Sequence, residues 1–185
     1  RCLAFSPNGD TVATVAWGDV SLPRTISLWS VRTGQRLQTM KCQTEKNVAY
    51  SPNGDILAVD GTLYNAHTLQ VLHDLRERVV AFSPDSALVA SCRSDYTTIG
   101  LWDANTGDKL LVLKGHTESL WSLAFSPDGT LLASGSGNLN MSAVRHESEG
   151  EAEALPQADT AIHLWGVPAI DPAPTKPLVD EPKKG

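Results

Sequence analysis

The segment LAFSPDGTLLASGS, residues 123–136, contains two short apolar runs joined by a Ser-Pro-Asp-Gly turn. Leu123 and Phe125 alternate with Ser122 and Ala124, and this two-residue period is that of a β-strand. The proline fixes φ at a turn corner, the aspartate can bond the backbone beyond it, and the glycine can take a positive φ. The segment therefore predicts a β-hairpin.

Nearly the same hairpin occurs three more times along the chain. The other copies are LAFSPNGDTVATVA at 3–16, VAYSPNGDILAVD at 48–60 and VAFSPDSALVASCR at 80–93. The turn serines are Ser6, Ser51, Ser83 and Ser126, at spacings of 45, 32 and 43 residues. Periods of about 40–45 residues are typical of propeller blades.

A third strand follows each hairpin. The segments TISLWSVRTG, TLYNAHTL, TIGLWDANTG and AIHLWGVPAI align so that one aromatic position recurs, at Trp29, Tyr64, Trp102 and Trp165. RLQTMK, QVLHDL and KLLVLKGH come after the first three segments, and each predicts a fourth strand. A four-stranded unit repeated side by side predicts an all-β propeller.

At this point the chain resembles the WD40-repeat family over residues 1–167. GHTESLWSLAFSPDGTLLASGS followed by DTAIHLW is close to the family consensus, and the third unit keeps the literal Trp-Asp at Trp102–Asp103. The resemblance implies about four consecutive four-stranded antiparallel blades, either an open arc or part of a ring of roughly seven. We place them at 1–40, 41–75, 76–115 and 116–167.

The resemblance also implies a hydrogen-bonded set of His, Ser or Thr, Asp and Trp in each blade. The expected members are Thr14, Asp19 and Trp29 in the first unit, His73, Ser91, Asp95 and Trp102 in the third, and His116, Ser134, Asp159 and Trp165 in the fourth. The second unit has Lys41, Val59 and Tyr64, so we expect its set to be broken. A catalytic triad is the alternative, but a nucleophile elbow, GxSxG, is missing from the sequence, and a buried indole N–H needs an acceptor.

Composition excludes several function classes. The net charge of −6 argues against a general nucleic-acid-binding protein, and no apolar run approaches the roughly 20 residues that span a bilayer. Three cysteines without a CxxC pair indicate reduced thiols, so we expect a cytoplasmic protein. The histidines lack zinc-site spacing, and neither GxGxxG nor a P-loop occurs, so we expect no metal, no cofactor and no enzyme activity.

Two segments depart from the blade pattern. Residues 138–158 carry alternating glutamates without an apolar face, which favours a disordered insertion, and a binding lid is the alternative. Residues 168–185 hold five of the eleven prolines, which favours an extended tail or linker. The chain also begins inside an apolar run without Met, so we expect it to come from a longer protein.

A rim of charged and aromatic residues is predicted at the starts of the innermost strands. Its members are Arg1, Lys46, Arg78 and Trp121. An exposed Trp beside cations is the composition of a protein-binding hot spot. We therefore expect a non-catalytic scaffold that binds other proteins or peptides, with missing blades or a second copy as further partners. The alternative is a propeller module of a larger kinase, protease or nucleotide-hydrolysing enzyme.

Overall fold

The computed structural model describes residues 2–16, 24–42, 47–92, 97–137 and 162–167. Over these ranges the chain forms β-strands and no helix. The strands are β1 (Cys2–Phe5), β2 (Thr11–Ala16), β3 (Thr25–Ser30), β4 (Arg36–Lys41), β5 (Val48–Tyr50), β6 (Ile56–Val59), β7 (Thr62–Asn65), β8 (Val71–Asp74), β9 (Arg78–Phe82), β10 (Leu88–Cys92), β11 (Thr98–Asp103), β12 (Lys109–Lys114), β13 (Leu120–Phe125), β14 (Leu131–Ser136) and β15 (Ile162–Gly166).

The strands make four antiparallel sheets, each following chain order. Blade 1 is β1-β2-β3-β4, blade 2 is β5-β6-β7-β8 and blade 3 is β9-β10-β11-β12, while blade 4 has β13-β14-β15 in the part of the chain that the structure describes. The innermost strands β1, β5, β9 and β13 contact one another in sequence. This confirms the predicted all-β, blade-by-blade architecture. The predicted insertion at 138–158 and the tail at 168–185 lie outside the described residues.

The repeated Ser-Pro turn is closed by the serine hydroxyl. Ser126 Oγ donates to Asp128 Oδ1 at 2.5 Å and accepts from the Leu131 amide at 2.9 Å. The glycine of this turn, Gly129, has a φ of 74°, a conformation that side chains with a Cβ disfavour. The other three turn serines donate to Asn8, Asn53 and Asp85 at 2.7, 2.6 and 2.5 Å. This local bonding explains why the same residues recur in every hairpin.

The third copy of the turn has a serine where the others have glycine. Ser86 takes a φ of 64°, which is strained for a residue with a Cβ. Its buried hydroxyl accepts a hydrogen bond from the Asn53 amide of blade 2 at 3.0 Å. The departure from the repeat therefore supplies a contact between two blades.

Apolar side chains fill the gaps between neighbouring blades. One cluster of apolar residues lies between each pair of neighbouring blades. Its fully buried members include Ile26 and Leu57 between blades 1 and 2, Leu63 and Val89 between blades 2 and 3, and Leu101 and Leu132 between blades 3 and 4. Burying each such side chain contributes about 1.5–3 kcal/mol. The blades are therefore held together mainly by these three clusters.

In the described part of the chain, one side of the first blade and one side of the last blade are exposed. Leu3 and Phe5 of β1 are 65% and 60% exposed, and Ile162 and Leu164 of β15 are 77% and 68% exposed. An open arc of four blades requires such faces, because a closed ring would bury both. The same exposure is expected for an open arc and for part of a larger ring, the two arrangements that the resemblance implies.

Candidate functional site

Three blades contain a hydrogen bond from an indole to a hydroxyl on the neighbouring strand. In each case the hydroxyl residue comes two positions after the residue that pairs with the tryptophan, so both side chains lie on one side of the sheet. The bonds, from Nε1 to the hydroxyl oxygen, are Trp29 to Thr14 at 2.9 Å, Trp102 to Ser91 at 2.7 Å and Trp165 to Ser134 at 2.8 Å. These are the Trp-hydroxyl pairs expected from the alignment.

Blade 4 extends its pair with a buried histidine. His116 Nε2 lies 2.7 Å from Ser134 Oγ, and Nδ1 lies 2.8 Å from Ser136 Oγ. The His116 ring is 4.2 Å from the His163 ring, and the His163 ring is 5.4 Å from that of Trp165. His116 thus takes the predicted place. Ser136 and His163 were not predicted as members of this set, although Ser136 shares a strand face with Ser134.

The prediction for His73 in blade 3 was wrong. His73 lies within β8, and its Nε2 is 2.8 Å from the Asn105 carbonyl oxygen. Glu77 occupies the expected place, because its Oε2 accepts hydrogen bonds from Ser91 and, at 3.3 Å, from Trp102. The linker before β9 has three residues, whereas the linker before β13 has five, so a fixed offset from His116 falls inside a strand.

Glu77 is only 5% exposed, and its charge is paired. Lys109 Nζ lies 2.6 Å from Glu77 Oε1 and 4.1 Å from the centre of the Trp102 ring. A buried carboxylate is tolerated when it has a cation and hydrogen-bond donors, and Glu77 has both. A Cβ at Gly100 would lie 2.7 Å from Glu77 Oε2 and from Trp102 Nε1, so this cluster requires glycine there.

Blade 2 replaces the polar set with apolar packing. Val59, at the hydroxyl position, and Tyr64, at the indole position, both belong to the cluster between blades 1 and 2. Burial raises the pKa of the Tyr64 phenol. Lys41 ends the outer strand β4 and is exposed. This agrees with the expectation that the second unit lacks the network.

Two of the four predicted rim residues, Trp121 and Arg78, lie in the part of the chain that the structure describes. Trp121 in β13 is 55% exposed, yet its Nε1 donates to the Gly137 carbonyl oxygen at 2.8 Å. Arg78, the first residue of β9, is exposed on the neighbouring blade. Because every blade repeats the same strand order, β9 and β13 both start on the same face of the arc. Arg1 and Lys46 lie outside the described residues, as do Asp19, Asp95 and Asp159.

The geometry argues against a catalytic role for the His-Ser pair. Ser134 is 1% exposed, and its oxygen already serves both Trp165 and His116. A nucleophile needs access to its substrate, which this hydroxyl does not have. Within the described ranges, no group of three or more His, Cys, Asp or Glu side chains could hold a metal ion. Over the same residues no helix is long and apolar enough to cross a membrane.

Comparison with known proteins identifies the repeat. The family model described as WD domain, G-beta repeat, or WD40, matches residues 61–103 and 107–140. The WD40 repeat-containing protein HOS15 of Arabidopsis thaliana is 33% identical over 104 residues, covering 46% of this chain and 17% of that protein. Coronin-7 of Homo sapiens is 29% identical over 126 residues, covering 68% of this chain and 12% of that protein.

Two further similarities concern a second coronin and a solved structure. Coronin-7 of Mus musculus is 37% identical over 79 residues, covering 43% of this chain and 8% of that protein. The alignments therefore span 8–17% of the length of these three curated relatives. The solved structure titled "Structure of U3-55K" superposes with a TM-score of 0.59 at 19% identity, covering 74% of this chain and 45% of that one. At this identity the superposition shows the fold alone.

Proposed function

We propose that this chain, which is a WD40-repeat protein, is a non-catalytic platform that binds other proteins or peptides through the rim at the starts of β9 and β13. Residues 61–103 and 107–140 match the WD40 repeat model, and the resemblance to this family implies a protein-interaction scaffold. The polar networks inside the blades keep the sheets in register and leave the rim as the contact surface. The partner would be an extended segment or loop laid across the start of blades 3 and 4.

The exposed Trp121 indole is the observation that carries this proposal. More than half of its surface faces solvent, although its N–H is held by the Gly137 carbonyl oxygen at 2.8 Å. A large aromatic side chain that is already fixed loses little conformational entropy when a partner covers it. Its apolar ring can therefore supply much of the binding energy, as buried tryptophans do at interfaces.

Arg78 indicates the charge of the partner. It stands five residues before the turn serine of its blade, the same offset as Trp121 has in the next blade. A guanidinium favours carboxylates because its planar donors match the two oxygens. We therefore infer a ligand in which an apolar or aromatic side chain stands next to Asp or Glu.

Selection from a random peptide library displayed on phage tests this function. The wild-type chain would be the bait, and every enriched peptide would then be tested for binding to the wild type and to the W121A and R78A variants. We expect enriched peptides to combine acidic and apolar residues. In titration calorimetry, W121A should weaken them at least about tenfold, while R78A should weaken them less and reduce the salt dependence.

L37A provides the matched control, because Leu37 is also a large exposed apolar residue but lies on the outer strand β4. Its affinity for the selected peptides should equal that of the wild type. Peptides that bind W121A and the wild type equally well would overturn the proposal that this rim is the contact surface.

A further inference from the structure

The gap between blades 1 and 2 is polar at a place where the next gap is apolar. Between blades 2 and 3, Ile56 belongs to the buried apolar cluster and Phe82 packs against that cluster. The residues at the same offsets from the turn serines of blades 1 and 2 are Thr11 and Tyr50. Their hydroxyl oxygens lie 3.3 Å apart and are hydrogen-bonded to each other. Two hydroxyl groups therefore lie where the next gap has two hydrocarbon side chains.

A cleft of about 520 Å³ opens beside these hydroxyl groups. Its walls come from the Ser-Pro turns of blades 1 and 2, from the outer strand β4 and from the turn after β7. Every one of these elements lies in the described part of the chain, on two adjacent blades. The cleft lies where β1 and β5 end, whereas the rim lies where β9 and β13 begin. The cleft and the rim are therefore on opposite faces of the arc.

The polar groups of the cleft are mainly hydrogen-bond acceptors. Asp10 is exposed, and its Oδ2 accepts from Asn8 Nδ2 at 3.1 Å, which holds the carboxylate in place and leaves it further acceptor capacity. Gln38 Nε2 donates to the Thr68 carbonyl oxygen at 2.8 Å, so this amide has its own oxygen to offer to a ligand. The described residues that line the cleft include no Lys or Arg. The cleft therefore favours a cation that donates several hydrogen bonds.

Apolar side chains line the same cleft. Leu28 and Ala66 are buried, whereas Leu37 is 58% exposed on the outer strand. The aliphatic stem of an arginine can pack on such a surface while its guanidinium reaches the polar groups. His67 also lines the cleft, and the Asp55 carboxylate lies 3.8 Å from its Nε2, so a second carboxylate stands close by.

We propose that this cleft binds an arginine side chain of a partner protein, with an apolar residue next to it that covers Leu37. The guanidinium has five donors in one plane, which suit the Asp10 carboxylate together with the oxygens of Gln38 and Tyr50. A wholly apolar ligand would cover the carboxylate without giving it a partner, which is costly, and an acidic ligand would be repelled by it.

A titration of the full chain, followed by proton–nitrogen correlation NMR spectra, tests the proposal. The probe is a blocked tetrapeptide, acetyl-Ala-Arg-Leu-Ala-amide, and the matched control peptide carries citrulline, which has the shape of arginine without its charge. We expect the arginine peptide to shift the backbone amide signals of Thr11 and Gln38 and to bind at least about threefold more tightly than the control. One anchoring side chain gives a Kd of about 1 mM, which is weaker than the binding that a phage selection retains.

Two matched variants assign the binding to the cleft. D10N removes the carboxylate and keeps an oxygen for the Asn8 amide, and it should weaken the arginine peptide about threefold to tenfold. D108N removes an exposed carboxylate of blade 3, outside the cleft, with the same change in net charge, and should bind like the wild type. If D10N fails to fold, T11I/Y50F should weaken the peptide in its place, because it installs the residue pair that the next gap already accommodates.

The outcomes keep this site separate from the rim. Equal affinity for the two peptides, equal binding by D10N and D108N, or cleft signals that do not shift because another part of the protein fills the cleft would each overturn the proposal. W121A should bind the arginine peptide like the wild type, because the rim lies on the opposite face. Loss of the rim function would therefore leave this inference intact, and loss of arginine binding would leave the rim proposal intact.

Discussion

Glu77 and Lys109 form an ion pair inside blade 3, with Nζ 2.6 Å from Oε1 and only 6% of the glutamate side chain exposed. The pair joins the linker before β9 to the outer strand β12, across the whole width of the blade. The same carboxylate accepts from Ser91 and Trp102. Glu77 thus connects β10, β11 and β12, and its removal should destabilise the whole of blade 3.

Replacing Glu77 should destabilise the chain far more than replacing His73. E77Q removes the charge that faces Lys109, and we expect a loss of about 1.5–3 kcal/mol in the free energy of unfolding. H73A removes one partly exposed contact with a carbonyl and should cost less than about 1 kcal/mol. Urea unfolding of both variants measures the difference. A larger loss for H73A would contradict the assignment of Glu77 to the network.

The serine of blade 4 should be more sensitive than its neighbours. Ser134 bonds both Trp165 and His116, so S134A leaves a buried donor and a buried ring nitrogen without their partner. We expect a cost of about 1–3 kcal/mol. S122A, on the adjacent strand and exposed, should change the free energy of unfolding by less than about 0.5 kcal/mol. Equal effects of the two substitutions would show that the buried bonds contribute nothing.

Backbone strain at Ser86 predicts an unusual order of stabilities. S86A keeps the positive φ and loses the bond to the Asn53 amide, whereas S86G loses the bond but relaxes the backbone. We therefore expect the glycine variant to be more stable than the alanine variant by about 1–2 kcal/mol. Thermal unfolding of the two proteins measures this. Greater stability of S86A would mean that the position is unstrained.

The turn carboxylates should make stability fall in acid. The pKa of Asp128 lies at about 2, below its ordinary 3.8, because the Ser126 hydroxyl and then the Thr130 amide and hydroxyl donate to the ionised form. The Ser83 hydroxyl lowers the pKa of Asp85 in the same way. A folded pKa below the unfolded one means that the stabilisation is present above about pH 4 and is lost as the pH falls towards 2.

D128N isolates this effect. Asparagine stands at the same turn position in the first two repeats, as Asn8 and Asn53, and accepts the same serine hydrogen bond. The melting temperature of D128N should therefore depend less on pH between 4 and 2 than that of the wild type. Parallel curves for the two proteins would rule out a contribution from this carboxylate.

Local chemistry explains how much could be predicted from the sequence. The Ser-Pro turn bonds residues at most five positions apart, so the same Ser-Pro-Asn or Ser-Pro-Asp pattern recurs in all four copies, with glycine next in three of them. The indole and its hydroxyl are likewise tied to one hairpin register, because Thr14, Ser91 and Ser134 each follow their turn serine by eight residues. Four blades could be predicted from these short-range patterns, whereas the three Trp-hydroxyl pairs and the broken network of the second unit were implied by the family resemblance.

Contacts between elements with variable linkers were decided only by the tertiary structure. Glu77 occupies the place that was predicted for His73, because the linker before β9 is two residues shorter than the one before β13. A fixed offset in the sequence does not account for a change in linker length. The bond from Asn53 to Ser86 joins two blades, and nothing in either turn alone requires it. The exposed faces of β1 and β15 likewise depend on which blades are neighbours. Hairpin bonds depend on local spacing, whereas contacts between blades depend on how the whole arc places its sheets.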